Sequence, residues 1–390
     1  MGKWKKRMLG DVAGIQTGPF GSQLHSSDYV SIGIPSIMPT NIGERLDINT
    51  EDIAYIQKSD ADRLARYLVT EGDIIYSRRG DVEKCAYISQ KETGWLCGTG
   101  CLRIRVNHKV VLSKFVAYLL STDDIKGWIS GNAVGTTMPN LNSSILIRVP
   151  LELPPLPEQR AIASILSSLD DKIDLLHRQN KTMEAMAELL FKQWFIHEPD
   201  EKWEEKPLSA IASFLNGIAC QNYPPTNEAD RLPVLKIKEL STGITESSDW
   251  ATSNIDQSYI VKNGDVIFSW SASLIVKVWD GDECVLNQHL FKVTSMEYPK
   301  WFYLSWCRYH LNEFIAISAT HATTMGHIKR GDLDNAKVLI PSQIELAMMS
   351  QILNPLLDRR IVISKQIRTL KECRDTLLPK LMSGEVRVEA

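Results

Sequence analysis

The sequence predicts an α+β protein: two mixed, β-rich heads separated by two long antiparallel coiled-coil helices, with a pseudo-twofold internal repeat. Three observations lead there. The chain repeats itself once at an offset of roughly 190 residues. Each copy opens on short apolar runs broken by Gly, Pro, Asn and Asp, the pattern of short strands and turns. Each copy closes on roughly 40 residues whose apolar positions step by three and four.

The repeat runs in order along the chain. Lys3-Trp4 matches Lys202-Trp203, and Ile34-Pro35-Ser36-Ile37 matches Leu232-Pro233-Val234-Leu235. Gly72-Asp73-Ile74-Ile75-Tyr76-Ser77 matches Gly264-Asp265-Val266-Ile267-Phe268-Ser269. Leu102-Arg103-Ile104 matches Phe291-Lys292-Val293, Thr136-Thr137-Met138 matches Thr323-Thr324-Met325, and Val149 to Pro154 resembles Val338 to Pro341. The offset shrinks along the chain, as small changes in loop length require. Within the first head, Leu102-Arg103-Ile104-Arg105-Val106 alternates as a half-buried strand should. Lys114 to Leu120 and Trp301 to Phe314 read as short helices.

After Leu153-Pro154-Pro155-Leu156-Pro157, residues 158 to about 197 contain no Gly or Pro. Their seam is Ile162, Leu166, Leu169, Ile173, Leu176, Asn180, Met183, Ala187, Leu190 and Trp194. The second seam is Met349, Leu353, Leu356, Arg360, Ile363, Ile367, Leu370, Arg374, Leu377 and Leu381. At ~1.5 Å per residue each makes a rod near 60 Å. Asn180, Arg360 and Arg374 interrupt the seams, and polar residues there fix register at some cost in stability. Pro355 and Pro379 predict a kink or an end in the second helix. Neither stripe can be buried alone, so the helices should pack antiparallel, returning Gly384-Glu385-Val386-Arg387-Val388 to the first head. The resulting divisions are 1–156, first head; 157–198, first helix; 199–341, second head; 342–382, second helix; and 383–390, a returning tail. Two similar heads about a pseudo-twofold suit the two half-sites of a duplex, and unlike heads imply unlike half-sites.

Composition excludes several classes. Hydrophobic residues at 44% and charged residues at 23% fit a soluble globular protein with a sizeable core. The basic start lacks an apolar stretch after it, and no window approaches a membrane span, so a cytoplasmic protein without a membrane partner is expected. The net charge of −3 requires any nucleic-acid face to concentrate its Lys and Arg locally. Seven scattered cysteines without a Cys-x-x-Cys read as buried free thiols, with no metal site. No Gly-x-x-x-x-Gly-Lys-Ser/Thr loop is present. Asn222-Tyr223-Pro224-Pro225 has the letters of an adenine-methyltransferase loop in the wrong order. Pro199-Asp200 and Glu204-x-Lys206 lie too close together to place carboxylates on two strands around Mg²⁺. A non-catalytic chain that uses no cofactor of its own is therefore expected.

These residues resemble the specificity subunit of type I restriction-modification enzymes along the whole chain. The resemblance is carried by Leu153-Pro154-Pro155-Leu156-Pro157-Glu158-Gln159-Arg160 leading into Leu169-Asp170-Asp171-Lys172-Ile173-Asp174. The ending Leu377-Leu378-Pro379-Lys380-Leu381-Met382-Ser383-Gly384-Glu385, Gly18-Pro19-Phe20-Gly21-Ser22 and the two Gly-Asp-hydrophobic strands add to it. The second helix departs from the pattern, for Pro341-Ser342-Gln343-Ile344-Glu345 lacks the proline-rich lead of the first. The resemblance implies two target-recognition domains, each reading half of a bipartite asymmetric double-stranded DNA target, and helices that set the unread gap. It implies two methyltransferase subunits docked on the spacer, using S-adenosylmethionine, and restriction subunits using ATP and Mg. A free-standing tandem-repeat DNA-binding regulator is the alternative, and an enzyme with a reshuffled active site a further one.

Candidate DNA contacts follow from residue type and place. Arg78 and Arg79, before a glycine turn, suit guanine edges or phosphates; a solvated turn is the competing reading. The matching Ser269, Trp270 and Ser271 carry no arginine, and a tryptophan beside a strand is commonly core. Thr136, Thr137, Asn140 and Asn142, with their mates Thr323, Thr324, His327 and Lys329, suit phosphate or base contact, or else a helix N-cap. Asn287 and Gln288 suit adenine, while the adjacent His289 reads as structural. Lys3, Lys5, Lys6 and Arg7 fit either phosphates or a solvated start.

Overall fold

The structure, a computed structural model, describes residues 4–135, 139–320 and 326–388. It divides into two compact units: one runs to Ile173 and takes in the chain from Leu370 onward, the other is Asp174–Thr369.

In the first unit, Lys5–Met8 pairs antiparallel with Pro150–Leu153. A four-stranded antiparallel sheet has the order Ala13–Thr17, Cys101–Val106, Ile74–Ser77, Cys85–Tyr87. The alternation expected for 102–106 is observed: Leu102, Ile104 and Val106 are buried and Arg105 is exposed. On the other face Arg105 clamps the buried Asp73 at 2.6 Å, and Arg103 donates to the Leu68 carbonyl at 2.7 Å. A second sheet has the order Tyr29–Val30, Ala54–Ile56, Ile34–Ile37, Leu96–Cys97, its last pair parallel. The helix Ser113–Leu120, expected from 114, joins Tyr76, Leu102 and Phe115 to one core.

The second unit repeats this plan. Glu204–Pro207 pairs with Lys337–Ile340. One sheet is ordered Ser213–Asn216, Leu290–Thr294, Val266–Ser269, Val276–Val278. The other is ordered Trp250–Thr252, Arg231–Leu235, Cys284–Leu286, Ile260–Val261, with the middle pair again parallel. The copies differ at both edges of this sheet: Ile260–Val261 pairs with Cys284–Leu286 where the first unit has a single bridge, Leu68 to Leu96, and among the described residues the second unit has no counterpart of Tyr29–Val30. The helix expected at 301–314 is two, Lys300–Tyr309 and Leu311–Thr320. They divide at the buried His310, whose Nε2 donates to the Lys337 carbonyl at 2.8 Å.

The first long helix is Leu156–Lys192, closed by a π-helical turn Gln193–His197; the second is Gln343–Ser383. The helix does not end at Pro355 or Pro379 but continues through both. Each proline is exposed, as are Gln351 and Asp375, the residues four back whose carbonyls lose an N–H partner. Water can satisfy those carbonyls, which removes much of the penalty.

Within the first unit Ile162, Leu166, Ile173 and Leu381 are buried, while Leu169, Leu370 and Leu377 are half-buried. Tyr118 Oη donates to Asp170 at 2.6 Å, and Arg374 from the second helix meets the same carboxylate at 3.0 Å. Within the second unit Leu176, Leu353, Ile363 and Ile367 are buried. Met183, Leu190 and Leu356 are only half-buried; Phe191, Phe195 and Leu357 take the deepest places beside them. A straight helix drifts against a strict heptad, so a seam read at 3.5 residues per turn slips by one position. Asn180 Nδ2 donates to Ser364 Oγ at 3.1 Å, and Glu184 joins Arg360 at 2.6 Å and Arg308 at 2.7 Å. Four residues back on the first helix correspond to four residues on along the second, which is antiparallel pairing.

The tail lies against the first unit, Val388 packing on its core. Arg387 reaches Glu158 at 2.8 Å and covers the Trp4 ring at 5.6 Å. In the second unit the matching Trp203 donates directly to Glu345 at 3.1 Å. Six cysteines are buried as expected, whereas Cys373, on the outer side of its helix, is exposed. Burial pushes the Cys97 thiol up to about 12, far from thiolate chemistry. No helix among the described residues is long and apolar enough to cross a membrane.

Burial would raise the Glu184 carboxyl, but the Arg308 and Arg360 guanidinium groups outweigh it and hold it below its ordinary value of 4.5. Glu184→Gln leaves two arginines facing each other. The expected loss is about 1–3 kcal/mol in urea unfolding at pH 7, the lower end reflecting the partly exposed carboxylate. Because the folded carboxyl is the stronger acid, the difference from wild type should be complete above pH 4.5 and shrink as pH falls through the lower folded value.

Candidate nucleic-acid interface

The same backbone frame ends the central strand in both heads. After Ile74–Ser77, the Arg78 amide donates to the Gly100 carbonyl at 2.8 Å, and the Leu141 amide donates to the Arg78 carbonyl at 2.9 Å. Arg79 then sits opposite Asn140 in an isolated bridge, followed by Gly80 at φ +76°. After Val266–Ser269, the Trp270 amide donates to the His289 carbonyl at 3.4 Å and the Ile328 amide to the Trp270 carbonyl at 3.0 Å. Ser271 sits opposite His327, followed by Ala272 at φ +55°. The frame therefore equates Arg78 with Trp270, Arg79 with Ser271, Gly80 with Ala272, Asn140 with His327 and Gly100 with His289.

A second shared feature lies beside it. A Cβ on Gly18 would stand 2.3 Å from the Gly98 carbonyl oxygen, and one on Gly217 would stand 2.2 Å from that of Asn287. Only glycine lets these segments pass so close.

In the first head, Arg78 is committed to structure. Its Nε donates to the Leu141 carbonyl at 3.2 Å and its guanidinium covers the Phe20 ring at 5.4 Å. Burial, and then the adjacent Arg79 cation, lower its pKa from the ordinary value. Arg79 is exposed, and its guanidinium makes no ion pair or hydrogen bond among the described residues. Asn140 is half-buried at the bridge. Asn142 is a helix N-cap: its Oδ1 accepts the Ile145 amide at 2.9 Å and the Ser144 hydroxyl at 2.6 Å. Thr136 and Thr137 lie outside the described residues, as do Thr323, Thr324 and Lys3. Lys5, Lys6 and Arg7 are exposed on an edge strand, Lys6 pairing with Glu152 at 3.3 Å.

In the second head three expected contacts are buried, Ser271 among them at 4% exposed. Ser269 is 0% exposed; its hydroxyl donates to the Ser273 carbonyl and accepts the Ile275 amide at 3.1 Å. Asn287 is 5% exposed, and its Oδ1 accepts the His289 amide at 3.3 Å. Neither presents a free polar group to a duplex, because the tight turn after each strand consumes it. Trp270 is half-exposed rather than core. Its Nε1 donates to Asn216 at 3.0 Å, and its ring lies 5.8 Å from His289 and 6.4 Å from His327. The Ser271 hydroxyl meets His289 Nδ1 at 3.2 Å, and Gln288 Nε2 lies 3.5 Å from the other nitrogen of the same ring. Lys329 is exposed and precedes the short helix Arg330–Asn335, its amide donating to Asp332 at 2.7 Å.

The structure thus gathers Trp270, Ser271, Gln288 and His327 into one cluster and adds His289 and Asn216, which sequence reading left out. In the first head it gathers Arg78, Arg79 and Asn140 and adds Phe20, 54% exposed. Each cluster joins an aromatic ring to polar side chains on a fixed frame, chemistry suited to base edges and phosphates. Among the described residues no group of three His, Cys, Asp or Glu is placed to hold a metal.

Comparison with known proteins agrees with this duplicated plan. The family model for the type I restriction modification DNA specificity domain matches residues 1–185 and again 200–372. The MjaIX specificity subunit of Methanocaldococcus jannaschii is 30% identical over 306 residues, covering 72% of this chain and 70% of that protein. The HindI specificity subunit of Haemophilus influenzae is 19% identical across 99% of this chain and 100% of its own. The crystal structure of a type I restriction-modification S subunit from M. genitalium shares the fold. Its TM-score is 0.62 and its identity 14%, covering 97% of this chain and 96% of that one.

The close approach at Gly18 gives a paired test. Gly18→Ala forces a Cβ onto backbone and should cost about 1–3 kcal/mol. Gly21→Ala, three residues on, meets nothing within 4 Å and should change the melting temperature little. Thermal unfolding of both variants checks the difference.

Proposed function

The chain belongs to the type I restriction-modification DNA specificity family, and from that membership we propose how its parts divide the work. Each head reads one half of a bipartite, asymmetric duplex target. The paired helices set the separation of the two halves and dock two methyltransferase subunits. The chain itself performs no catalysis. Methyl transfer from S-adenosylmethionine, and ATP- and Mg-dependent restriction, belong to the partner subunits, which act with it on double-stranded DNA in the cytoplasm.

The observation that carries this reading is the shared frame with unlike side chains. Two heads built on one backbone plan, one with Arg79 and Asn140 and the other with Ser271 and His327 at the equivalent bridge, suit two half-sites of different sequence. With a net charge of −3, phosphate contact rests on local cations such as the exposed Lys329. The polar links inside the helix pairing, Asn180 to Ser364 and Asp170 to Arg374, favour one register over its neighbours. A spacer of fixed length needs a fixed register.

Methylation mapping in cells carrying this chain and its methyltransferase should reveal a bipartite motif. Replacing residues 1–156 with the equivalent head of a relative should alter one half of that motif; alteration of both halves would defeat the idea of independent heads. Deleting seven residues from each long helix should change the unread gap, and an unchanged gap would remove the helices' role as spacer. Tight, specific binding by the isolated chain with no methyltransferase in co-purification would instead favour a free-standing regulator.

A further inference from the structure

Among the residues of each recognition loop, most side chains are already spent on holding the loop itself. Ser77 donates to the Arg79 carbonyl at 3.0 Å, Asn142 caps a helix, and Arg78 is held by the Leu141 carbonyl and the Phe20 ring. Opposite them stands the Arg79–Asn140 bridge, with an exposed guanidinium, next to Gly80, around whose added Cβ there is open space. In the second head Ser269 is held by its own turn, Trp270 by Asn216 and the buried Ser271 by His289, so the equivalent bridge, Ser271–His327, offers no exposed side chain at the Arg79 position.

We infer that this cross-loop pair, Arg79 with Asn140, is the specificity-determining unit of the first head. The inference rests on the reading that the heads bind duplex DNA. Residues facing one another across an antiparallel bridge have Cβ atoms about 4.5–5.5 Å apart, close enough to address the same or adjacent base pairs together. The backbone frame beneath is common to both heads, so the pair can change without moving the loop. A guanidinium fork matches O6 and N7 of guanine, and a carboxamide matches N6 and N7 of adenine, so the pair addresses purines. The equivalent Ser271 is buried against His289, so the second head presents no such fork at this place. Phe20, stacked on the Arg78 guanidinium, is a positioning residue beside the pair.

The test uses the full chain assembled with its methyltransferase subunits and a pool of randomised duplexes from which bound sequences are recovered. The double exchange Arg79→Ser with Asn140→His should change base preference at one or two adjacent positions of one half-site. Preference for guanine there should fall by about ten- to a hundredfold, while the other half stays as in wild type. Arg79→Lys keeps the charge and loses the fork, so it should show the same loss of guanine preference with little loss of overall affinity; it also stands in if a double exchange fails to fold. An unchanged motif with evenly weaker binding, and a shallower salt dependence, would make Arg79 a phosphate clamp and overturn the inference. Changes in both halves from one exchange would overturn it too. A wild-type complex that enriches no sequence would defeat the DNA-reading premise itself, a result distinguishable from failure of the pair.

Discussion

Neither long helix can bury its apolar stripe alone, and the architecture of each unit follows from that constraint. The first unit is completed by residues that lie some 200 positions away: Leu381 and Met382 share a core with Ile162 and Leu166, and Arg374 meets Asp170. In the second unit Leu353 and Leu357 share a core with Phe191 and Phe195, and Arg360 meets Glu184. Burying hydrocarbon supplies the drive, and the few polar crossings select the register. A slip by one turn would leave Arg374 or Arg360 facing hydrocarbon without its carboxylate, which is far costlier than an exposed mismatch.

Much of this was legible in the residues. Repetition and periodicity survive translation into structure because they depend on local geometry: alternation at 102–106 gives one buried face, and three–four spacing gives a helical stripe. What failed was of three kinds. Pro355 and Pro379 do not end the helix, because the residues whose carbonyls they orphan are exposed to water, which sequence does not show. The seam at Leu190 and Leu356 is displaced to Phe191 and Leu357 because a heptad is only an approximation to the helix. Ser269 and Asn287 looked available because a hydroxyl or a carboxamide is written the same way whether it bonds outward or into its own turn. Phe20 and Asn216 join their clusters across more than fifty residues of sequence, so no local pattern ties them to Arg78 and Trp270, and His289, read as structural, lies against Ser271.

The two heads show how one backbone plan can present different chemistry. The frame is set by main-chain bonds, from Arg78 to Gly100 and from Trp270 to His289, and by the close pass at Gly18 and Gly217. Main-chain bonds place no demand on side-chain identity. The positions with φ near +60° do: Gly80 meets that demand freely, whereas Ala272 adopts it at a backbone cost of about 1 kcal/mol, offset by the surrounding turn. The side chains just before them, Arg79 in one head and Ser271 in the other, are fixed by neither demand, so they are free to differ, one exposed and the other buried.

The completion of the first unit by residues beyond Leu370 also inverts the order in which the molecule matures. Chains emerge from the ribosome amino end first, and domains ordinarily fold in that sequence. Here every segment of the second unit has been synthesised before the final piece of the first appears. The part made earliest therefore waits longest, holding Ile162 and Leu166 uncovered until Leu381 and Met382 arrive. For the length of that wait the nascent first unit is the portion of the chain most exposed to chaperones and to premature aggregation.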